Sequence, residues 1–325
     1  MGMNIFHAEV FHRPATEELR FLPECPRRLR SFPGLLAWVG IQNKANSTEG
    51  CLNLLNLSTK ENRSFPLPGR PGFFCETNSP GVLVVGLERR LALYDLNQGA
   101  LEETGITVSA DEDVIINDGL AIEDGIIFGC KHLRFTEKRA GLYWFDCRAR
   151  RLHQLRGDQI CSNGKHLYKD GSRHWLLDID SFAKTVARYE FDSDNARLIE
   201  AGIVADFREG GLFPDGMRPT PDGRSVVVAF YNPEAAEYGL ARQFRIADGA
   251  VEAEWKLPGS PRVTCPEYVE IGGKVKLLFT TAVEAMPDEI RRSAPEAGAM
   301  FIADSGHQPL PPPPPTLPAG AFRAK

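Results

Sequence analysis

Gly211-Leu212-Phe213-Pro214-Asp215-Gly216-Met217 is the stretch on which the reading of this chain turns. A Pro-Asp-Gly triplet is ordinarily a turn: Pro presets φ, Asp folds its carboxylate onto the backbone, and Gly takes positive φ. A second triplet, Pro221-Asp222-Gly223, follows closely and already supplies the turn before a strand over residues 225–230. The first is therefore spare as a hairpin turn, and Asp215 becomes a candidate hard oxygen ligand. Two similar triplets lie upstream, Asn117-Asp118-Gly119 and Ser162-Asn163-Gly164, and all three precede a strand-like run.

Around these triplets, short strand candidates recur and long helical periodicity is nearly absent. Leu35-Leu36-Ala37-Trp38-Val39 is one strand and residues 51–57 another. Val82-Leu83-Val84-Val85-Gly86-Leu87 and Leu91-Ala92-Leu93-Tyr94-Asp95 are joined by Glu88-Arg89-Arg90, a hairpin-sized link. Residues 126–129 pair with 141–146, 175–178 with 186–192, 225–230 with 241–246, and 276–281 with 299–303. Such strands, separated by Gly, Asn, Asp and Pro, predict an all-β fold.

A longer period overlies them. Tyr94-Asp95, Phe145-Asp146 and Phe191-Asp192 occupy the same place in successive units, with Phe244-Arg245-Ile246 a weaker fourth. The unit is about 45 to 50 residues, the size of a propeller blade. Six units account for the chain, which predicts a six-bladed β-propeller with a central channel over residues 1–305. Residues 5–11 are the candidate for closing the last blade, since closure removes exposed edges. Residues 306–325 form a proline-rich tail in which Pro309-Leu310 precedes five consecutive prolines. That run forces polyproline II and reads as a stiff, poorly packed end in preference to a ligand for a proline-binding groove. The charged run 287–296 reads as a short surface helix or loop.

Composition bounds the function. The chain has 325 residues, a net charge of −5, 42% hydrophobic and 25% charged residues, which is ordinary for a folded soluble protein. The charge, and the lack of any Lys/Arg run longer than Arg27-Arg28-Leu29-Arg30, argue against a nucleic-acid partner. No apolar run approaches the roughly 20 residues of a membrane span. The start, Met1-Gly2-Met3-Asn4-Ile5-Phe6-His7, lacks the basic and apolar regions of a signal peptide. Seven cysteines without paired spacing predict reduced thiols in a cytoplasmic protein, buried in preference to nucleophilic. There is no zinc-type Cys/His spacing, no Gly-x-Ser-x-Gly elbow and no phosphate loop.

With the repeat in place, the triplets resemble those of the senescence-marker/gluconolactonase/luciferin-regenerating-enzyme family, which includes regucalcin. Glu24-Cys25-Pro26 resembles the family's Glu-Gly-Pro in the first blade, Asn117-Asp118-Gly119 its Asn-Asp-Gly in the third, and Ser162-Asn163-Gly164 its Ser-Asn-Gly in the fourth. Phe213-Pro214-Asp215-Gly216 resembles its Pro-Asp-Gly in the fifth, and Arg262-Val263-Thr264-Cys265-Pro266 a stretch before the sixth. Each triplet is a common turn. Their order, at intervals of 93, 46 and 52 residues from Glu24 through Asn117 and Asn163 to Asp215, carries the match.

The resemblance implies one divalent metal ion at the end of the channel, held by Glu24, Asn163 and Asp215, with Asn117 lining the site. Ca, Mg, Mn, Zn or Fe would be compatible, and an all-oxygen donor set suits the hard members Ca²⁺, Mg²⁺ and Mn²⁺. The implied activity is metal-dependent hydrolysis of a lactone, a small cyclic ester, by a monomer or dimer. Asp215 would be ligand and general base, with Asp118 a second candidate for the base. An isomerase, lyase or cyclase on the same site, or a non-catalytic calcium-binding propeller, are the alternatives. The chain departs from the family where lactonases read sugars: the position that commonly holds Arg is Ile115, the usual Gly-Thr-Met is Gly129-Cys130-Lys131, and a usual Asp is Gly40. These departures predict a substrate less polar than gluconolactone or differently shaped. Lys131, His132 and Arg134 are candidates for an anionic group, against a plainer reading as a solvated loop. Glu267 is a candidate channel residue, Asp178 a strand-end acceptor, and His166 a neighbour of the site.

Overall fold

Val226-Val227-Val228-Ala229-Phe230 is buried along its whole length, and a strand with no polar face must be covered on both sides. A ring of six sheets supplies that cover, each sheet packing on its two neighbours. Residues 3–323 are described by a computed structural model. Residues 1, 2, 324 and 325 lie outside it, and with them the first two residues of the N-terminal stretch and the last two of the tail.

Each blade is an antiparallel meander that runs outward from the axis. Blade one comprises Pro23–Arg28, Leu35–Gly40, Gly50–Asn56 and Asn62–Leu67. Blade two comprises Pro71–Glu76, Val82–Leu87, Arg90–Asp95 and Ala100–Thr107, and blade three Val114–Ile122, Gly125–His132, Ala140–Asp146 and Arg151–Gln159. Blade four comprises Ser162–Asp170, Arg173–Asp180, Thr185–Asp192 and Arg197–Asp206. Blade five comprises Phe213–Pro219, Ser225–Tyr231, Tyr238–Arg245 and Val251–Pro258, and blade six Val263–Ile271, Lys274–Thr281 and Met300–Asp304. The N-terminal segment closes the ring in two steps. Asn4–His7 adds in parallel to the outer strand of blade five, and Glu9–His12 then pairs antiparallel with Met300–Asp304 as the fourth strand of blade six. The charged run near residue 290 holds a short helix, Asp288–Ser293.

The aromatic–Asp repeat has a local cause. Asp95, Asp146 and Asp192 end the third strand of their blades. Asp95 Oδ1 accepts from Asn97 N at 2.8 Å and Asp146 Oδ1 from Arg148 N at 2.7 Å. These Asx turns send the chain into the outer strand.

The apolar core lies between blades and not on the axis. One cluster joins Leu177, Ile179 and Val186 of blade four to Met217 and Val228 of blade five, and another joins Leu36 and Trp38 of blade one to Val269 and Leu278 of blade six. Burying a side chain of this size contributes about 1.5–3 kcal/mol, so the seams hold the ring and the axis is left to polar groups.

The spare triplets are not turns. Each lies within an innermost strand, at a place where the pairing register shifts: between Glu24 and Arg27, Ile116 and Gly119, Asn163 and Lys165, and Pro214 and Met217. Such bulges re-aim a side chain, here toward the axis. The glycines serve close approach and not positive φ. A Cβ on Gly164 would sit 2.4 Å from Met217 Cβ and 2.6 Å from Met217 N, in the next innermost strand.

The tail is seated, in contrast to the poorly packed end that its prolines suggest. The guanidinium of Arg30 donates to Pro313 O at 2.7 Å and Pro314 O at 2.9 Å, and Arg28 donates to Pro311 O. Leu317, fully buried, exchanges backbone hydrogen bonds with Glu76 and Asn78 of blade two, and Phe322 packs on Phe145 with ring centroids 4.9 Å apart.

Candidate active site

The innermost strands all start at one end of the channel. A cavity of about 370 Å³ opens there. Its walls include Glu24 of blade one, Asn117 of blade three, Asn163 of blade four and Asp215 of blade five. Four residues far apart in sequence are thus brought together because each occupies an equivalent bulge. The residue after Glu24 is Cys25, held at φ 48°, a left-handed conformation that a non-glycine residue enters at an energetic cost.

The carboxamides are oriented by a short relay. Asn117 Nδ2 donates to Asn163 Oδ1 at 2.8 Å and to Ser162 O at 3.0 Å. Asn163 Nδ2 donates to Ser181 Oγ at 2.7 Å, and Ser181 Oγ donates to Pro214 O at 2.7 Å. Both amide nitrogens are therefore engaged with the protein. Ser181 also lines the cavity. It is a site residue that sequence reading missed, because its partners come from other strands and no motif surrounds it.

The carboxylates are short of donors. Glu24 accepts from Cys25 N at 3.1 Å, and among the described residues no hydrogen bond reaches the buried Asp215 carboxylate. Burial, then the charge of Asp118, pushes the Glu24 carboxyl up to about 8. Burial, then the charges of Glu24 and Asp118, pushes Asp215 well above the usual carboxylate range, with Lys131 opposing. Buried carboxylates without donors are stabilised by a cation. Two carboxylates with carboxamide oxygens beside them form a hard donor set for Ca²⁺, Mg²⁺ or Mn²⁺. Among the described residues, no three His, Cys, Asp or Glu side chains converge on one point as metal ligands. Any ion here would depend on the carboxamides.

The remaining wall is mostly apolar. Phe135 stacks on Phe182 with centroids 5.3 Å apart, and Phe182 packs on Phe213 at the same separation. Leu22, Ile41, Tyr231 and Pro233 continue the lining. Cys161 is also present, but burial pushes its thiol up and away from nucleophilic use. Lys131 lines the cavity and is 6% exposed.

Other sequence candidates lie elsewhere. Ile115 is buried in the sheet directly across the ladder from Lys131 and is not part of the cavity wall. His132 is buried, its Nδ1 accepting from Thr136 N and Glu137 N at 3.3 Å. Arg134 is exposed and pairs with Asp113 at 2.7 Å. Asp118 accepts from its neighbour Gly119 N at 2.7 Å, with Arg27 at 3.9 Å; it is close enough to raise both carboxyls without facing the cavity. Asp178 is buried against Lys165 at 3.5 Å. Glu267 and His166 belong to a smaller cavity of about 180 Å³ at the opposite end of the channel, roofed by tail prolines. There Glu267 pairs with Arg218 at 3.2 Å. Burial lowers His166 to about 4.

Comparison with known proteins agrees with this architecture. The SMP-30/gluconolactonase/LRE-like region matches residues 22–284. An L-arabinolactonase of Azospirillum brasilense is 26% identical over 257 residues, covering 75% of this chain and 77% of its own. Among solved structures, the calcium-binding protein regucalcin from Agrobacterium tumefaciens superposes with a TM-score of 0.76 at 18% identity, covering 94% of this chain and 98% of its own. A luciferin-regenerating enzyme does so with a TM-score of 0.76 at 17% identity, covering 91% and 95%. At these identities the two structures speak to the fold alone. The match to the family spans most of the chain and includes all four cavity residues singled out by their spacing: this protein belongs to the SMP-30/gluconolactonase/LRE-like family.

Proposed function

We propose that this chain is a metal-dependent lactonase whose substrate is less polar than gluconolactone. The observation that carries the reading is the convergence of Glu24, Asn117, Asn163 and Asp215, from four blades, on one cavity. Family membership, and the name of the Azospirillum relative, support lactone opening. Glu24, Asp215 and the Asn163 carboxamide would hold the divalent ion. The chemistry such an ion supplies when bound is polarisation of an ester carbonyl and acidification of a water.

The chain's own contributions follow from the geometry. The Asn117–Asn163–Ser181 relay fixes both carboxamides, so that the oxygen set is formed before any ligand arrives. Asp215 is the proposed proton acceptor, since it is buried, receives no hydrogen bond among the described residues, and is held well above the usual carboxylate range by burial and by the charges of Glu24 and Asp118. Phe135, Phe182 and Phe213 provide a surface for the body of the lactone and exclude water from it. Of the other polar groups of the wall, Asn117, Ser181 and Tyr231 already donate to protein acceptors, so a polyhydroxylated ring would leave hydroxyls unpaired there.

The test is ring opening, followed by acid release, on a panel running from gluconolactone to aryl- and alkyl-substituted lactones. The expected result is activity on the less polar members, lost with chelator, restored by a divalent ion, and reduced at least 100-fold in Asp215→Asn. Turnover that survives both chelation and the substitution would refute the reading. Full activity on gluconolactone would refute its substrate clause.

A further inference from the structure

The strand Gly125–His132 carries one charge into the cavity that the proposed chemistry does not use. Lys131 stands directly opposite Ile115 in the ladder of blade three and bridges to Cys161 of blade four. Its side chain therefore shares a face with that isoleucine. It is 6% exposed, lines the cavity, and among the described residues has no carboxylate oxygen within 4.0 Å of its Nζ and no hydrogen-bond acceptor. The ammonium lies within electrostatic range of Glu24 and Asp215 but hydrogen-bonds to neither, so its donors are free for an incoming anion.

We propose that Lys131 receives a carboxylate carried by the substrate, so that the lactone opened here is an anionic one with an apolar, aromatic-binding body. This rests on the lactonase reading above. The cavity's own charges leave room for such an anion. A divalent ion held by Glu24 and Asp215 would match them charge for charge and leave the ammonium of Lys131 over. Glu284, the other carboxylate of the wall, is partly exposed and lies beyond ion-pair distance of Lys131. An anion entering this mostly apolar space meets Lys131 in a low dielectric, where one charge pair discriminates strongly between ligands. The aromatic triad Phe135–Phe182–Phe213 then holds the uncharged part.

The experiment compares γ-phenyl-γ-butyrolactone with its para-carboxylate in the metal-loaded wild type, Lys131→Met and Lys131→Arg. Wild type is expected to favour the carboxylate by about 10-fold or more in kcat/KM. Lys131→Met should collapse that ratio toward one, and Lys131→Arg should restore most of it. Because Lys131→Met removes an ammonium that makes no hydrogen bond in the protein, the melting temperature of the ligand-free protein should hold or rise. A fall would show that Lys131 serves to balance Glu24 and Asp215, and would overturn the proposal. So would a wild type without preference, or a ratio unchanged in Lys131→Met. If wild type opens neither lactone, the lactonase reading fails by itself, and calorimetric titration of the intact para-carboxylate decides on Lys131. Binding to wild type at least 10-fold tighter than to Lys131→Met upholds its role, and equal binding overturns it.

Discussion

Replacing Glu24 by Gln keeps the shape of the side chain and removes its ionisation, which isolates the electrostatic burden of the site. In the folded chain the Glu24 carboxyl is raised from 4.5 to about 8 by burial and by the charge of Asp118. A tenfold change in a proton equilibrium is about 1.4 kcal/mol, so this displacement corresponds to on the order of 5 kcal/mol. The group binds its proton more tightly when folded than when unfolded. Its stabilising contribution is therefore complete below 4.5 and is lost as pH rises through about 8. A cooperatively unfolding chain of 325 residues has an unfolding entropy of roughly 0.7 kcal/mol/K. Most of the effect falls between about pH 5 and pH 9, and it amounts to a melting-temperature change on the order of 6 °C. The assay is thermal unfolding of wild type and Glu24→Gln in chelator across that range. The variant is expected to gain on the wild type as pH rises, by about that amount. Adding Ca²⁺ or Mn²⁺ at the alkaline end should raise the wild type and leave the variant nearly unmoved, since the ion replaces the proton. A gap between the two proteins that is independent of pH would refute the assignment of Glu24 to a buried, proton-competing ligand set.

Two further outcomes are expected. Ser181→Ala removes the hydroxyl between Asn163 Nδ2 and Pro214 O and should weaken divalent-ion binding about 10-fold by calorimetry, with an unchanged circular-dichroism spectrum; unchanged affinity would exclude Asn163 as a ligand that Ser181 orients. Truncation after Gln308 exposes the seats of Leu317 and Phe322, each buried to within 1% of completely, and at about 1.5–3 kcal/mol per side chain should lower the melting temperature by roughly 4–9 °C; a truncated chain that melts with the full one would show that the tail does not hold blades two and three.

What could be read from the sequence depended on how each segment is covered. Middle strands such as Val82–Leu87 and Ser225–Tyr231 are enclosed by neighbouring blades on both faces, so they stand out as unbroken apolar runs, and the aromatic–Asp pairs that end the strands beside them mark the blade period. The innermost strands were hidden for the opposite reason. They face a polar axis and carry Asn, Asp and Gly at their bulges, residues that elsewhere make turns, so a local reading assigns turns to what are the strands that line the channel. The cavity positions were legible only through a consequence of that packing. Where innermost strands crowd together, the residue after Asn163 or Asp215 has no room for a Cβ, as at Gly164 against Met217, and a polar residue followed by glycine recurs at the blade interval. Glu24 escapes even this signal, because Cys25 stands where a glycine would and accepts φ 48° instead. Lys131 shows the limit of reading by neighbourhood. Lys131, His132 and Arg134 are nearly adjacent in sequence, yet a strand alternates its faces, and the strand ends at His132. One of the three meets the cavity, one is buried in its own hydrogen bonds, and one pairs with Asp113 in solvent. Alternation along one strand of blade three thus brings the ammonium of Lys131 to a cavity whose other charged wall groups are the carboxylates of Glu24, Asp215 and Glu284.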